Sequence, residues 1–237
     1  MTRRRWIADE VQAEDNKAAL TGENAAHLAR VLRAQVGQEF DVSTGETVRR
    51  GKIVAVSEQR VEFELGEEVA AAPEMQIELL LAVFKFDRME WAIEKATELG
   101  VARILPVIAQ RTEKHLAQSS AKRSDRWRRI AHEAAQQSRR VSPPEIAEPL
   151  ELKDALAQSS AAGIVLAEGE EGKSLKQALA AAPRPVRLAV GPEGGWLAEE
   201  LALFQKHGWQ AASLGATILR AETAAIAALA ITAAELA

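Results

Sequence analysis

The sequence Gly191-Pro192-Glu193-Gly194-Gly195 joins a predicted strand to a predicted helix. The preceding residues, Val186 to Val190, form a β-branched and aliphatic run that is typical of a buried strand. Leu197, Leu201 and Phe204, which follow the loop, repeat at the spacing of one helix face. Glycine permits positive φ and leaves no side chain between the backbone and a ligand. The loop is therefore suited to the close approach of a bound molecule.

The spacing of this loop excludes two common phosphate-binding loops. No Lys-Ser or Lys-Thr pair follows Gly195, so it is not a Walker loop, and the GxGxxG spacing of a dinucleotide site is absent. On spacing alone, a plain structural turn and a ligand loop stay equally open.

A second segment favours the ligand loop. The sequence from Leu214 to Ala224 holds Arg220 on the approach to a predicted helix N-terminus. A helix dipole favours anions at that end, so we expect Arg220 to act on a group outside the helix. The alternative is a salt bridge from Arg220 to Glu222 or Glu193.

Composition limits the possible chemistry. The chain has 237 residues, of which 47% are hydrophobic, enough for one large domain or two small ones. It has no cysteine, which excludes disulfides, thiolate metal sites and a cysteine nucleophile, and its four histidines are scattered and suggest no metal site. No apolar run approaches a membrane span, and the basic start is not followed by the apolar core of a signal peptide. We expect an unexported, cytoplasmic protein with no membrane partner.

The charge is unevenly distributed. The formal net charge is -4, yet residues 103–140 hold ten Lys and Arg against three acidic residues. Such segregation leaves one part of the chain to meet phosphates, as in nucleic-acid-binding proteins. A solvated helix face is the alternative.

Residues 1–72 are predicted to form a small β-rich domain. Thr21 is the predicted cap of a helix from Asn24 to Leu32, with Leu28, Val31 and Leu32 facing inward. Strands are expected at residues 39–43, 51–56 and 61–65, the first two joined by a turn at 43–46, and a short barrel is their natural closure.

A linker at residues 69–73 separates this domain from a second one, residues 73–237. Alternation of strands with helices predicts an α/β fold with a parallel sheet. The strands are expected at 76–84, 104–107, 164–166 and 186–190, and the helices at 88–99, 126–140 and 222–236. The last helix is apolar on nearly every face, so it must be buried within the domain or against a second subunit.

Several motifs, in order along the chain, are those of one family. They are H-x-x-x-V-L-R at 27–33, K-A-T-E-L-G at 95–100, an E-A-x-x-Q-S-x-R-like helix from Glu133, GPEGG followed by Trp196, and LG-x-x-ILR-x-ETA at 214–224. The chain resembles the SPOUT methyltransferases and, within them, the bacterial 16S rRNA uridine-N3 methyltransferases. The resemblance implies a trefoil-knotted SPOUT domain after a PUA-like β-barrel, a homodimer, S-adenosylmethionine as cofactor, and 16S rRNA of the small ribosomal subunit as partner.

The resemblance also assigns the cofactor loops. They begin at Leu166-Ala167-Glu168 and include both glycine segments, where glycines let the backbone approach adenosine and apolar side chains surround its ring. The residues expected to bind the cofactor are Leu166, Gly191, Pro192, Glu193, Gly194, Gly195, Leu214, Gly215, Ile218, Leu219, Glu222 and Thr223.

Methylation of uridine N3 needs a cation for the negative charge that develops as N3 loses its proton, and Arg220 is the predicted catalytic cation. Glu98 is the predicted proton acceptor, with Glu193 and Glu222 as alternatives and His132 as an outside candidate for acid–base catalysis. Each of the three carboxylates could instead be a surface or ion-paired group. Trp196 is a candidate to stack on a base, or a core residue. The expected RNA contacts are Arg3, Arg4, Arg30, Arg33, Arg111, Arg123, Arg126, Gln136 and Arg139.

Two departures from the family pattern bear on the loops. Leu197 replaces a serine that would cap the following helix, so that helix needs another cap, and Ala221 replaces a threonine near the cofactor. Because a ring-carbon methyltransferase normally needs a cysteine, nitrogen and ribose 2′-oxygen remain as targets, and a non-catalytic RNA-binding protein is the third possibility.

Overall fold

The structure is a computed structural model that describes residues 5–158, 161–167 and 173–236. Arg3, Arg4 and Glu168, named above as candidate site residues, lie outside the described residues. The chain divides into an N-terminal unit, residues 1–74 with 135–143, and a C-terminal unit, residues 75–134 with 144–237. The N-terminal unit is therefore completed by a segment that comes much later in the chain.

The N-terminal unit is built on a six-stranded sheet with the order β1-β4-β5-β6-β3-β2. Its strands are β1 (Arg5–Ile7), β2 (Glu10–Gln12), β3 (Lys17–Thr21), β4 (Glu39–Ser43), β5 (Val48–Val56) and β6 (Arg60–Glu68). The backbone N–H groups of the adjacent residues Ala8 and Asp9 donate to Ser43 in β4 (2.9 Å) and Ala19 in β3 (3.0 Å). One short segment thus reaches both sides of the sheet, which curls to bring them together.

The predicted helix from Asn24 to Leu32 is wrong in part. Helix α1 (Gly22–Ala26) gives way to a π-helical turn (His27–Val31), and the Thr21 side chain makes no capping hydrogen bond. Leu28 is fully buried as expected, but Val31 is 64% exposed and Leu32 is 44% exposed. The wider turn changes the angular spacing of the side chains, so residues 31 and 32 leave the inward face.

The C-terminal unit alternates strands and helices, as the sequence predicts. They are β7 (Ile77–Ala82), α2 (Phe86–Glu98), β8 (Arg103–Ile108), α3 (Lys114–Ser120), α4 (Ser124–Gln137), β9 (Glu145–Ile146), β10 (Leu150–Glu151), α5 (Leu152–Ala157), β11 (Ile164–Leu166), α6 (Leu175–Leu179), β12 (Val186–Val190), α7 (Ala198–Lys206), β13 (Gln210–Ala212) and α8 (Ala221–Leu236). The last three residues of helix α4 belong to the N-terminal unit. The helix ends at Gln137 rather than at residue 140, and Arg139 beyond it has φ +61°. A residue in that left-handed region cannot continue a helix.

The second sheet is parallel and follows the order β10-β8-β7-β12-β11-β13, with β9 also paired to β8. All five residues of β12 are buried, because both faces of a parallel sheet are covered. Neighbouring parallel strands end at the same edge of the sheet. The segments that leave β12, β11 and β13 therefore lie side by side, and they are the predicted ligand loops.

Helix α8 is buried along one face, through Ala225, Ala228 and Leu229, while Ala230 and Ala234 are exposed. The expectation of burial within the unit is thus met on one side of the helix. Among the described residues, no helix is long and apolar enough to cross a lipid bilayer.

Candidate functional site

The loops at the carboxyl ends of β11, β12 and β13 surround a cavity of about 300 Å³. This volume is in the range of small-molecule sites. Ten of the residues expected to bind a cofactor line it: Leu166, Gly191, Pro192, Glu193, Gly194, Gly195, Leu214, Gly215, Ile218 and Leu219. We call this cavity the loop pocket.

Two glycines of the loop pocket adopt backbone conformations that other residues rarely adopt. Gly195 has φ +70° and Gly215 has φ +126°, and no heavy atom lies within 4 Å of a Cβ built on either. The Gly195 N–H donates to the Pro192 carbonyl at 2.8 Å, which closes the turn. The backbone at both glycines therefore faces open space, where a ligand can contact it directly.

Arg111, predicted as an RNA contact, lies in the wall of the loop pocket. Its guanidinium donates to the Gly194 carbonyl, and a Cβ on Gly194 would come within 3.1 Å of the Arg111 Cδ. Arg111 thus holds the glycine loop in place, and a side chain at position 194 would be in tight contact with it.

Trp196 belongs to the core. It is 8% exposed, and its ring meets the Phe204 ring edge-on with the centroids 5.0 Å apart. A Cβ on Gly191 would lie 3.1 Å from the Trp196 Nε1. The indole therefore forms part of the pocket wall, and in this position it has no free face on which a base could stack.

Glu200 supplies the cap that Leu197 lacks. The Glu200 carboxylate, 5% exposed, accepts the Leu197 N–H at 2.8 Å and the Gln110 N–H at 2.9 Å. The first bond satisfies a free donor at the start of α7. The second fastens the segment after β8 to the same helix, so one buried side chain connects two walls of the loop pocket.

Arg88, to which the sequence assigned no role, lies between two of the predicted site glutamates. Its Nη1 is 3.3 Å from the Glu193 Oε1, and its Nε is 3.9 Å from the Glu222 Oε1. Glu222 is 4% exposed, and its Oε2 has no hydrogen-bond partner among the described residues. Arg88 thus connects the glycine loop to the first turn of α8. Glu222 and Thr223 lie outside the pocket lining, and Thr223 is exposed.

Arg220 lies at the rim of the loop pocket, between the lining residues Leu219 and Ala221. It is exposed, and its guanidinium has no ion pair or hydrogen bond with the described residues. The alternative salt bridges to Glu193 and Glu222 are not formed, since both carboxylates face Arg88. The arginine is free to act on a ligand.

Glu98, the predicted proton acceptor, is not brought to this site. It lies at the opposite end of α2 from Arg88, about 15 Å away along the helix axis at 1.5 Å per residue. Its Oε1 is 2.7 Å from the Lys95 Nζ, and the hydrogen bonds that Lys95 donates to Glu94 and Glu98 raise the pKa of Lys95.

Comparison with known proteins decides the family. A family model described as "RNA methyltransferase domain" matches residues 71–233, and one described as "RNA methyltransferase PUA domain" matches residues 20–66. The chain is 34% identical over 236 residues to the ribosomal RNA small subunit methyltransferase E of Synechocystis sp., covering 95% of this chain and 76% of that protein. The chain belongs to the ribosomal RNA small subunit methyltransferase E family.

Solved structures of similar proteins agree with this assignment. A ribosomal RNA small subunit methyltransferase E from Neisseria gonorrhoeae, bound to S-adenosyl methionine, matches with a TM-score of 0.84 and 28% identity over 97% of this chain and 96% of that one. A putative methyltransferase from Legionella pneumophila, in complex with the same cofactor, has a TM-score of 0.86 and 29% identity over 99% and 98% of the two chains. The parallel sheet is the SPOUT part of this family member, and the curled sheet is its PUA-like part. The trefoil knot stays a prediction.

Two predicted RNA contacts of this family member surround one glutamate. The Arg126 guanidinium donates twice to the Glu90 carboxylate, at 2.6 and 2.8 Å, and this bonding raises the pKa of Arg126. Arg123 lies 4.7 Å above the Phe86 ring and 3.8 Å from the same carboxylate. Glu90 therefore offsets part of the positive charge of this segment.

The remaining predicted RNA contacts lie in the N-terminal unit. Arg30 pairs with Glu58, whereas Arg33 is exposed with φ +50°. Gln136 is 2% exposed, so it is a packing residue, and its Nε2 is 3.4 Å from the Asn24 Oδ1. Arg139 has an acidic partner, Asp41, at 3.2 Å.

Proposed function

We propose that this protein transfers a methyl group from S-adenosylmethionine to N3 of one uridine in 16S rRNA of the small ribosomal subunit. The observation that carries the proposal is the loop pocket, because it brings together three segments distant in sequence and presents glycine backbone to a ligand. The name of the Synechocystis relative supports the substrate, and the cofactor in two similar structures supports the donor.

The residues of the loop pocket fit this cofactor. Leu214, Leu219 and Ile218 offer apolar surface for an adenine ring, and Ile218 is 79% exposed, so a bound ring would cover it. The open backbone at Gly195 and Gly215 can meet the polar edges of the ligand. When bound, S-adenosylmethionine supplies a methyl group that is already activated for transfer.

The chain itself must position the uridine and stabilise its charge. As N3 loses its proton, negative charge spreads over O2, N3 and O4, and a nearby cation lowers the energy of that state. The unpaired Arg220 guanidinium at the pocket rim is suited to this role. Of the three carboxylates considered, Glu193 is the one that lines the pocket, so it replaces Glu98 as our candidate proton acceptor.

We further propose that the enzyme works in the cytoplasm as a homodimer. Helix α8 supports the second point, since Ile226, Ile231 and Leu236 are only partly covered within the C-terminal unit. Apolar side chains left partly exposed on a helix can be covered by a second subunit.

The test is nucleoside mapping of 16S rRNA from cells that lack this gene, before and after incubation of their small subunits with purified protein and S-adenosylmethionine. We expect one 3-methyluridine to be missing and to be restored by the wild type. Arg220→Ala should reduce the rate roughly 10²- to 10³-fold, because it removes a charge used only during transfer. Lys206→Ala, which removes an exposed cation at the far end of α7, is the matched control and should behave as the wild type.

Two other outcomes would change the proposed function. Restoration of a ribose methyl in place of 3-methyluridine would keep the methyltransferase and change its target atom. No change in any nucleoside would favour a non-catalytic RNA-binding protein.

A further inference from the structure

Three charged residues form a row across the N-terminal sheet. Arg5 in β1, Asp41 in β4 and Arg50 in β5 are direct partners in register. Residues opposite one another on neighbouring strands project from the same face. The adjacent row contains Trp6 and Val42, which are buried in the core of this unit. Because successive side chains of a strand point to opposite faces of the sheet, the charged row lies on the outer face of the curled sheet.

The segment 135–143 covers this row. The Arg139 Nη2 lies 3.2 Å from the Asp41 Oδ2, and the Arg139 carbonyl accepts a hydrogen bond from the Arg5 guanidinium. On the other side, the Arg50 Nη1 donates to the Asp41 Oδ1 at 2.7 Å. Asp41 is 4% exposed, so one buried carboxylate is shared by an arginine of β5 and an arginine of the covering segment.

The charges of this group do not balance. Among the described residues, Asp41 is the acidic partner of both Arg50 and Arg139, and it is the one carboxylate that acts on Arg5. Arg5 is only 5% exposed, and its Nε has no hydrogen-bond partner in the described part of the chain. Burial and the nearby charge of Arg139 lower the pKa of Arg5, against the effect of Asp41. Arg50 and Arg139 thus pair with the Asp41 carboxylate, and Arg5 adds a third positive charge nearby.

Packing of segment 135–143 on the sheet would not by itself require more arginines than acidic residues. One arginine for one aspartate would hold the segment on the sheet, whereas each additional buried cation is unfavourable without an anion to offset it. Arg50 and Arg139 keep 27% and 39% of their side-chain surface exposed. Their guanidinium groups can therefore reach an oxyanion at the surface while Arg5 contributes its charge from beneath.

We propose that Arg5, Arg50 and Arg139 form a binding site for one phosphate group of the RNA backbone. Arg50 and Arg139 donate N–H groups to the phosphate oxygens, the geometry that guanidinium groups favour. The proposal rests on the proposed function for the presence of an RNA substrate. It adds a contact in the N-terminal unit that holds the substrate by its backbone.

The experiment measures binding of the full chain to 16S rRNA at several salt concentrations. A lost phosphate contact makes the dependence of log K on log salt concentration less steep by about 0.7 to 0.9. We expect this change for Arg50→Gln and for Arg139→Gln, with affinity at 0.1 M salt roughly fivefold weaker. The control is Arg49→Gln, because Arg49 opposes Val42 in register and instead bonds Asn16 and Gly66. That variant should keep the wild-type slope.

Thermal unfolding of each variant and binding of inorganic phosphate complete the test. An unchanged slope for both Arg50→Gln and Arg139→Gln would overturn the proposal and leave the group as packing. The same conclusion follows if affinity falls only in step with thermal stability. Stabilisation of the wild type by inorganic phosphate, absent in Arg50→Gln and without any change in the RNA slope, would assign the site to a free anion instead. If the wild type neither binds nor methylates 16S rRNA, both the proposed function and the phosphate site are rejected. If the wild type methylates 16S rRNA but the variants leave the slope unchanged, only the phosphate site is rejected.

Discussion

Two groups of charged side chains in this protein differ in the sign of their excess. Beside the loop pocket, Arg88 pairs with Glu193 and Glu222, whereas on the N-terminal sheet Asp41 pairs with Arg50 and Arg139, and Arg5 lies nearby. The excess at the pocket is offset, because Arg111 in its wall and Arg220 at its rim are also cations. The excess on the sheet would be offset by the proposed phosphate. The two groups should therefore respond to mutation independently.

Mutation of Gly215 is expected to have the largest effect, and that effect should be on cofactor binding and not on RNA binding. Gly215→Val places a β-branched residue at φ +126°, a strain of about 1–3 kcal/mol. Affinity for S-adenosylmethionine, measured by calorimetry, should fall roughly 5- to 150-fold, while RNA affinity is unchanged. Gly37→Val is the matched control, because Gly37 has φ +92° in the N-terminal unit, also with no atom within 4 Å of an added Cβ. An equal loss of cofactor affinity in both variants would show a global effect.

A smaller effect is expected at the arginine of the pocket group. Arg88→Ala leaves the buried Glu222 carboxylate without its nearest cation and releases Glu193. Because the Arg88 side chain is 32% exposed, we expect a loss of only about 1–2 kcal/mol in unfolding free energy. Cofactor affinity should fall severalfold, and Arg88→Lys should recover most of both losses in thermal unfolding and calorimetry. If Arg88→Ala binds the cofactor with wild-type affinity, the ion pairs of Arg88 do not contribute to the loop pocket.

The smallest effect is expected for a carboxylate that belongs to neither group. Glu98 makes an exposed pair with Lys95, and such pairs contribute about 0–1 kcal/mol. Glu98→Gln should therefore leave the rate of methyl transfer within about twofold of the wild type. A loss of tenfold or more would restore Glu98 as the proton acceptor and contradict the placement of the site.

The sequence was most informative where a signal is local. Strands β11 and β12 have the bounds predicted for them, because buried parallel strands are uninterrupted apolar runs. Strands β1 to β3 were missed, since they have three, three and five residues, too few to show a clear alternation of apolar and polar side chains. The predicted helix at residues 24–32 failed because periodicity does not distinguish an α-helical turn from a π-helical one.

Local signals were also the informative ones for the site. The glycine loops are continuous in sequence and carry their own motifs, so they were predicted as a unit. The roles of Arg88 and Arg111 depend on partners 105 and 83 residues away, and no local spacing contains that information. Arg50 was not predicted for a related reason, because its ion pair with Asp41 depends on strand register.

The late segment 135–143 has a consequence for synthesis on the ribosome. The curled sheet can close once Glu68 has emerged, because Ala8 and Asp9 bond to strands made by then. Arg139 follows about seventy residues later, several seconds at bacterial elongation rates of about 5–20 residues per second. During that interval the nascent sheet lacks one of its three cations. The newborn chain therefore passes the rRNA of its own ribosome before its phosphate site is complete.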